Sequence, residues 1–318
     1  MKMTMTKSDR VCGRFAPSPS GRLHLGNLMS SLLAWLDVRS QDGVMLFRLE
    51  DLDPERSWEH YADQMADDLR WLGLDWDVGW EPGSQDYRQG TRGDFYAEKL
   101  KQLQDMGLVY ECFCSRSERL AASAPHPGEQ RDAGCGCRDL TEAQKSEKRS
   151  MGRRASLKLH VPERTFIWTD GHYGKQVDTL SPGGDDFIIR RSDGVFAYQL
   201  AVSADDMDMG VNRVVRARDL LGSTARQMLL IELFGGEVPA YCHAPLLVAP
   251  EGRKLSKRDG DLSTEGLRER YTPQQLTGKL AKLAGLRETD APVHAWELVS
   301  DFSWDKVPTE PIVIDDNI

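Results

Sequence analysis

The feature that most restricts the fold is a turn rich in proline and glycine, residues 17–21, which joins two apolar segments. Before it lies the short run Val11–Ala16, and after it Gly26–Val38 carries leucines at helical spacing. A second apolar run, Val44–Leu49, follows. Asp53–Leu72 then predicts a helix, because an aspartate cap is followed by proline. This order of strand, loop, helix, strand and helix predicts a parallel sheet with crossover helices.

The rest of the chain alternates between this α/β pattern and a different one. Asp94–Met106 predicts a helix, and the segment after it holds a cysteine cluster, a polar loop and a basic stretch. The α/β pattern then resumes, and Ser263 to about Leu286 is helical in pattern. Pro308–Ile318 is expected to be a loose end. We therefore expect an α/β fold with four parts: catalytic halves at 10–107 and 186–262, an insertion at 108–185, and a helical region with a tail at 263–318.

Composition narrows the class of protein. The 318 residues are 40% hydrophobic and 29% charged, which is typical of a globular chain with a real core. The net charge of −9 argues against a general nucleic-acid coat protein but allows a local basic groove. The polar start suggests no signal peptide, and no apolar run approaches the ~18 residues of a membrane span. We expect a cytoplasmic protein with no membrane partner, and nothing indicates more than a monomer.

The start of the first helix is a candidate phosphate site. A helix N-terminus offers unpaired N–H groups and a partial positive charge, which suit an anion. His24 and Asn27 lie three residues apart, so they share a helix face and both can donate hydrogen bonds. Gly26 has no side chain and would let a nucleobase or ribose approach the backbone. The alternative is an ordinary junction of loop and helix with a surface histidine.

A second candidate is the loop Gly252–Gly260, which carries four cations: Arg253, Lys254, Lys257 and Arg258. A lysine ammonium is a mobile point charge that can follow a phosphate through a reaction. The flanking glycines would let the loop close over a substrate. In isolation, such a loop is more commonly a solvated basic segment.

Together, the two segments resemble the signature motifs of class I aminoacyl-tRNA synthetases. Pro17–Asn27 is similar to the HIGH motif and Lys254–Arg258 to the KMSKS motif, and the departures from both are those of the glutamyl branch. Four further stretches resemble that branch: residues 13–21, 47–53, 196–201 and 215–220. The resemblance extends from about residue 11 to about residue 285 and implies a Rossmann-type nucleotide-binding core.

The resemblance implies a reaction. The glutamate α-carboxylate would attack the α-phosphorus of ATP, with Mg²⁺ accompanying the nucleotide, to give glutamyl-adenylate and pyrophosphate. No protein nucleophile is needed, so catalysis would consist of positioning and charge stabilisation. His24, Gly26, Asn27 and Lys257 would bind ATP. Lys257, assisted by Lys254, would neutralise the charge that develops on pyrophosphate.

Glutamate carries two carboxylates and one ammonium, so its site needs both cations and an anion. Arg14, Glu50 and Arg216 each lie close to a strand-like run, and ligands of open α/β sheets bind outside the carboxyl ends of strands. Arg218 is the competitor of Arg216. The resemblance implies eight glutamate contacts: Arg14, Phe15, Ala16, Pro17, Ser18, Glu50, Tyr198 and Arg216.

Four of the six cysteines form two C-x-C pairs, Cys112 with Cys114 and Cys135 with Cys137. Two such pairs suit a tetrahedral Zn²⁺ site, with His126 in reserve. Disulfides do not suit a cytosolic chain, and unliganded thiols are the other alternative. The two remaining cysteines are expected to be plain buried residues.

The resemblance to the glutamyl branch implies a zinc site built from a C-x-C pair, a tyrosine and a later cysteine that is followed by arginine. Cys137 and Arg138 match that later pair, whereas Ala133 stands at the tyrosine position, so Cys135 is expected to substitute. The zinc would be structural and would stabilise an RNA-facing insertion.

The sequence also suggests the acceptor of the glutamate. Only 61 residues follow Lys257, which we expect to be too few for the anticodon-binding region of a glutamyl-tRNA synthetase. The short relatives are the glutamyl-Q tRNA(Asp) synthetases, and the resemblance implies transfer of glutamate to queuosine in the anticodon loop of tRNA(Asp). Lys145–Arg154 is either an RNA contact or a solvated face. The alternatives are a short glutamyl-tRNA synthetase that charges a 3′ end, a non-catalytic RNA-binding protein and another nucleotidyltransferase.

Overall fold

The structure is a computed structural model that describes residues 10–115, 136–250, 252 and 262–314. Its strands are β1 (Cys12–Phe15), β2 (Val44–Phe47), β3 (Val78–Gly79), β4 (Val109–Cys112), β5 (Ser156–Leu159), β6 (Arg164–Asp170), β7 (Gly174–Leu180), β8 (Phe187–Arg190), β9 (Arg213–Ala217), β10 (Ala240–Ala244), β11 (Leu247–Val248) and β12 (Ile312–Val313). Its helices are α1 (Leu25–Arg39), α2 (Glu59–Trp71), α3 (Gly93–Asp105), α4 (Glu142–Ser150), α5 (Tyr198–Asp208), α6 (Thr224–Leu233), α7 (Thr264–Arg270) and α8 (Pro273–Leu283).

The α/β core with parallel strands is confirmed. β1, β2 and β3 pair in parallel in that order, and β9 pairs in parallel with β10. β1 and β9 lie beside each other, because the Asn212 N–H donates to the Cys12 carbonyl at 3.1 Å. The carboxyl ends of β1 and β9, where Arg14 and Arg216 lie, therefore meet at one edge.

The first helix forms where the sequence predicts it. His24 is its N-cap, and its side chain accepts a hydrogen bond from the backbone N–H of Gly26. The helix is apolar almost all round, because one face packs on the sheet and the other is covered by the C-terminal region.

The segment after α3 changes from parallel to antiparallel pairing. β4 pairs with β5 and β5 with β8, while β6 and β7 form an antiparallel hairpin with seven residues in each strand. β8 lies beyond residue 185 in the sequence but completes the sheet of the preceding segment.

Three sequence predictions need correction. Asp53 does not start a helix: its carboxylate accepts from the Glu55 N–H and pairs with Arg191, so residues 54–56 form a turn and α2 begins at Glu59. The helical pattern from Ser263 is interrupted before Pro273, because Thr272 caps a new helix there. The tail is not loose over Pro308–Ile314.

Residues 308–314 pack against the core. β12 pairs in parallel with β11, and the backbone N–H groups of Ile312 and Ile314 each donate at 2.8 Å to carbonyls of the 246–248 segment. Ile314 is 3% exposed, whereas its neighbour Val313 is 57% exposed. Apolar burial and backbone pairing thus fix this segment in place. No helix within the described ranges is long and apolar enough to cross a bilayer.

We expect Ile314→Ala to lower the free energy of unfolding by about 2–3 kcal/mol, because it leaves a cavity under β12. Val313→Ala, which changes an exposed side chain, is the matched control and should cost well under ~1 kcal/mol. Urea denaturation followed by circular dichroism measures both. Equal, small effects would mean that this segment does not pack in solution.

Candidate functional site

A cavity of about 300 Å³ lies at the carboxyl ends of β1 and β9. Seven of the eight residues expected to bind glutamate line it; Ser18 is exposed and is not among its lining residues. Asn27 lines it too, together with Ser30 and Ser31 from the same face of α1. The two serines were missed by the sequence reasoning, although their spacing from Asn27 places them on that face.

Arg216 is the most unusual charge in this cavity. It is 6% exposed, and its guanidinium donates four hydrogen bonds to neutral acceptors. The acceptors are His243 Nε2 at 3.0 Å, Gln227 Oε1 at 2.5 Å, Thr224 Oγ1 at 2.9 Å and the Leu220 carbonyl at 3.2 Å. Among the residues that the structure describes, no carboxylate forms an ion pair with it. A buried cation without a counter-ion favours an anionic ligand.

Arg14 has a different environment. Its Nε lies 3.3 Å from Asp206 Oδ1, and its Nη1 donates to the Val215 carbonyl at 3.2 Å. Asp206 also accepts from Arg48, whose side chain is fully buried, at 2.8 Å. Arg48 reaches Glu50 on its other side, at 3.2 Å. One buried arginine therefore holds both the carboxylate behind Arg14 and the carboxylate in the cavity wall.

Burial and charge shift the two carboxyls in opposite directions. Burial raises the pKa of Glu50 in spite of the nearby Arg48 and Arg14 guanidinium groups. Burial also opposes the ionisation of Asp206, but Arg48 and Arg14 outweigh it and hold the pKa of Asp206 below its ordinary value. Burial raises the pKa of Tyr198, so its hydroxyl stays a hydrogen-bond donor at neutral pH.

His24 and Asn27 reach two neighbouring cavities. The Asn27 Oδ1 accepts from the His24 backbone N–H at 3.1 Å, and His24 Nδ1 accepts from the Gly26 N–H at 3.1 Å. Asn27 faces the first cavity, whereas His24 faces a second one of about 510 Å³. Leu23 lines both, so the two spaces adjoin along the start of α1.

The basic loop with Lys254 and Lys257 lies outside the described residues. The chain that follows it is described and is tied to the start of α1. Thr264 donates to the Leu23 carbonyl through its backbone N–H at 3.0 Å and through its hydroxyl at 2.9 Å. Ser263 also forms an antiparallel bridge with His24 and lines the second cavity.

Three of the four expected zinc ligands come together. The sulfur atoms of Cys112, Cys114 and Cys137 lie within 4.8 Å of one another, and those of Cys114 and Cys137 are 3.5 Å apart. Thiolates on one tetrahedral zinc, with bonds of about 2.3 Å, lie about 3.8 Å apart, so the cluster suits such an ion. Cys135 and His126 are outside the described residues.

The other cysteines are plain buried residues, as the sequence predicts. Cys12 and Cys242 are 3% and 0% exposed. Burial raises the pKa of the Cys12 thiol to about 11, so it is protonated and unreactive at neutral pH.

The structure also separates two competing cations and tests a basic stretch. Arg218 is exposed and stacks 4.6 Å from the ring centroid of Tyr173, so Arg216, not Arg218, faces the cavity.

In α4, Lys145 pairs with Glu142 and Arg149 with Glu111. These pairs favour a solvated, internally balanced face over a free basic patch.

Comparison with known proteins identifies the family. Residues 10–314 match the family described as tRNA synthetases class I (E and Q), catalytic domain. The chain belongs to this family. It is therefore an enzyme of the ligase class, and the segments Pro17–Asn27 and Lys254–Arg258 both lie within the matched residues.

Relatives within the family carry two names. The chain is 45% identical to a glutamyl-Q tRNA(Asp) synthetase of Nitratidesulfovibrio vulgaris over 95% of both chains. It is 44% identical to one of Symbiobacterium thermophilum over 96% of both. It is 37% identical to a glutamate–tRNA ligase of Desulforamulus reducens, covering 95% of this chain and 64% of that one.

A solved structure agrees with the fold. A glutamate tRNA ligase from Elizabethkingia meningosepticum, in complex with its amino acid, superimposes with a TM-score of 0.79 at 26% identity. The match covers 96% of this chain and 67% of that one.

We expect Arg48→Met to destabilise the protein by about 3–5 kcal/mol at neutral pH, because Asp206 and Glu50 lose a shared buried counter-charge. The deficit should shrink as the pH falls, since the two carboxyls then become neutral. Arg56→Met, at a side chain 80% exposed, is the control. Chemical denaturation at several pH values measures the difference. A deficit that does not depend on pH would contradict this account.

Proposed function

We propose that this chain activates L-glutamate with ATP and transfers the glutamate to queuosine in tRNA(Asp). The observation that carries the glutamate assignment is the environment of Arg216, a buried guanidinium that lines a cavity and whose hydrogen bonds, among the described residues, go to neutral acceptors. Relatives of 41–45% identity, named glutamyl-Q tRNA(Asp) synthetase, support the choice of acceptor.

The cavity has charges that complement glutamate. Arg216 and Arg14 each receive one carboxylate, and Glu50 receives the ammonium. Tyr198 offers its hydroxyl, and Phe15, Ala16 and Pro17 form a wall. Arg14 is partly neutralised by Asp206, so Arg216 supplies the stronger share of the attraction.

The proposed activation is a displacement at phosphorus. A carboxylate oxygen of glutamate forms a bond to the α-phosphorus of ATP, and the bond to the bridging oxygen breaks, so that pyrophosphate leaves with the electron pair. Asn27 and His24 donate to phosphate oxygens from the two adjoining cavities, and Gly26 leaves room for the nucleoside. Lys257 and Lys254 neutralise the leaving group, and Mg²⁺ accompanies the ATP.

In the proposed second step, a ring hydroxyl of queuosine attacks the carbonyl carbon of the adenylate, and AMP leaves. The runner-up is transfer to a tRNA 3′ end, and other relatives are named glutamate–tRNA ligase. Sequence identity favours queuosine, because the chain is 41–45% identical to relatives named glutamyl-Q tRNA(Asp) synthetase and 36–38% identical to those ligases.

The four-part division of the chain belongs to the same proposal. The halves at 10–107 and 186–262 build the cavity, since Arg14 and Glu50 come from one and Tyr198 and Arg216 from the other. The insertion at 108–185 and the region at 263–318 face RNA. The proposed working unit is a monomer in the cytoplasm, where ATP and tRNA are found.

The test of the function uses two reactions. Purified protein should support glutamate-dependent exchange of pyrophosphate into ATP without any tRNA. Radiolabelled glutamate should then attach to queuosine-containing tRNA(Asp) whose 3′-terminal hydroxyls are blocked. Queuosine-free tRNA(Asp) with an intact 3′ end is the control and should accept none. Labelling of that control would replace this function with 3′-end charging, and absent exchange would remove activation altogether.

We further propose a structural Zn²⁺ held by Cys112, Cys114 and Cys137, with Cys135 as the fourth ligand. We expect about one zinc per wild-type chain and much less for Cys114→Ser, with a lower melting temperature. Cys12→Ala, which removes a thiol outside the cluster, should keep its zinc. Elemental analysis of dialysed protein decides, and full zinc in Cys114→Ser would exclude the site.

A further inference from the structure

A histidine and an aspartate lie in line behind Arg216. His243, in β10, is fully buried, and its Nε2 accepts the Arg216 Nε–H at 3.0 Å. Its Nδ1 lies 2.6 Å from Asp170 Oδ2. None of the motifs that identify the family includes His243 or Asp170.

The chemistry of the arginine determines which ring nitrogen carries the proton. A guanidinium has no acceptor and stays charged, so His243 Nε2 must be an unprotonated acceptor. The proton of the neutral ring is then on Nδ1, where it is donated to Asp170. Burial and the neighbouring Arg216 outweigh the hydrogen bond that His243 donates to Asp170 and lower the pKa of His243, which keeps the ring neutral.

Asp170 is itself held firmly. Its Oδ1 accepts from the backbone N–H groups of His172 at 3.1 Å, Tyr173 at 3.0 Å and His243 at 3.2 Å. Asp170 is the last residue of β6, so the turn between β6 and β7 fixes the carboxylate. A hairpin of the 108–185 segment is thereby linked, through His243, to Arg216 in the wall of the cavity.

The neutral ring has an electrostatic consequence. A carboxylate in direct contact with Arg216 would neutralise it and compete with a substrate carboxylate, as Asp206 partly does at Arg14. An imidazole orients the guanidinium by accepting the Nε–H of Arg216, and it adds no charge at the contact. The Asp170 charge stays on the far side of the ring.

We propose that Asp170 and His243 are positioning residues that orient Arg216 for the substrate carboxylate while leaving its charge unneutralised. The inference rests on the proposed function, because it takes glutamate as the anion. It adds two residues that govern affinity for the amino acid and that do not touch it.

The test compares KM for glutamate with KM for ATP in pyrophosphate exchange. Asparagine at 243 can still donate to Asp170 but does not reach Arg216, so His243→Asn should raise the glutamate KM about 10- to 100-fold. The KM for ATP should change less than about 2-fold, because ATP binds elsewhere in the site. His243→Gln, whose longer amide can place an oxygen near the former Nε2, should recover part of the affinity.

His160 provides a matched control, since its Nδ1 lies 3.4 Å from Asp186 and it does not line the cavity. His160→Asn makes the same substitution at another histidine–aspartate pair and should leave both KM values within about 2-fold of wild type. If His243→Asn does not fold, Asp170→Asn carries the test, because an amide facing Nδ1 favours the other tautomer and should cause the same selective rise.

The outcomes separate the two claims. Wild-type protein without glutamate-dependent exchange would overturn the proposed function. Wild-type protein with normal exchange, together with folded His243→Asn or Asp170→Asn variants of unchanged glutamate KM, would overturn only the positioning role. An equal rise in the glutamate and ATP KM values would also overturn it, because a general structural defect would then explain the loss.

Discussion

The site depends on how the charges of Arg14 and Arg216, two buried arginines that line one cavity, are neutralised by their neighbours. Arg14 shares Asp206 with Arg48, and Arg48 also holds Glu50, so this side of the cavity is nearly neutral in sum. Arg216 is surrounded by neutral acceptors and keeps its full charge. A buried charge without a counter-ion is electrostatically unfavourable, and binding an anion relieves that cost.

The fold provides this arrangement by bringing distant segments together. Arg14 lies in β1 and Arg216 in β9, about 200 residues later, and the strands run side by side. The apolar α1 packs on both, which keeps the two strand ends in register with the start of the helix at His24. The segment at 108–185 contributes through Asp170, and residues 308–314 pack on β11.

The start of α1 and most of the cavity lining could be predicted, because the local sequence signals there agree with the fold. The turn before α1 and the caps of that helix are local, and they appear where the sequence places them. Seven of the eight expected glutamate contacts line one cavity, since each lies in a motif that resembles the family. The prediction of a helix start at Asp53 was wrong because its carboxylate pairs with Arg191, 138 residues away, and no local pattern reveals that contact. Pro308–Ile314 was expected to be loose because its strand is short and is stabilised by distant parts of the chain, through pairing with β11 and burial of Ile314.

The sequence by itself determined the chemical groups: Arg14, Arg216, Glu50, the start of α1 and the clustered cysteines. It also determined the order of strands and helices in the first part of the parallel core, because apolar periodicity and turn residues are signals between near neighbours in the chain. Only the tertiary structure decided which cation is left unneutralised. Counter-ions and hydrogen-bond acceptors are assigned in three dimensions, so Asp206 pairs with Arg14 while His243 presents Arg216 with an uncharged nitrogen.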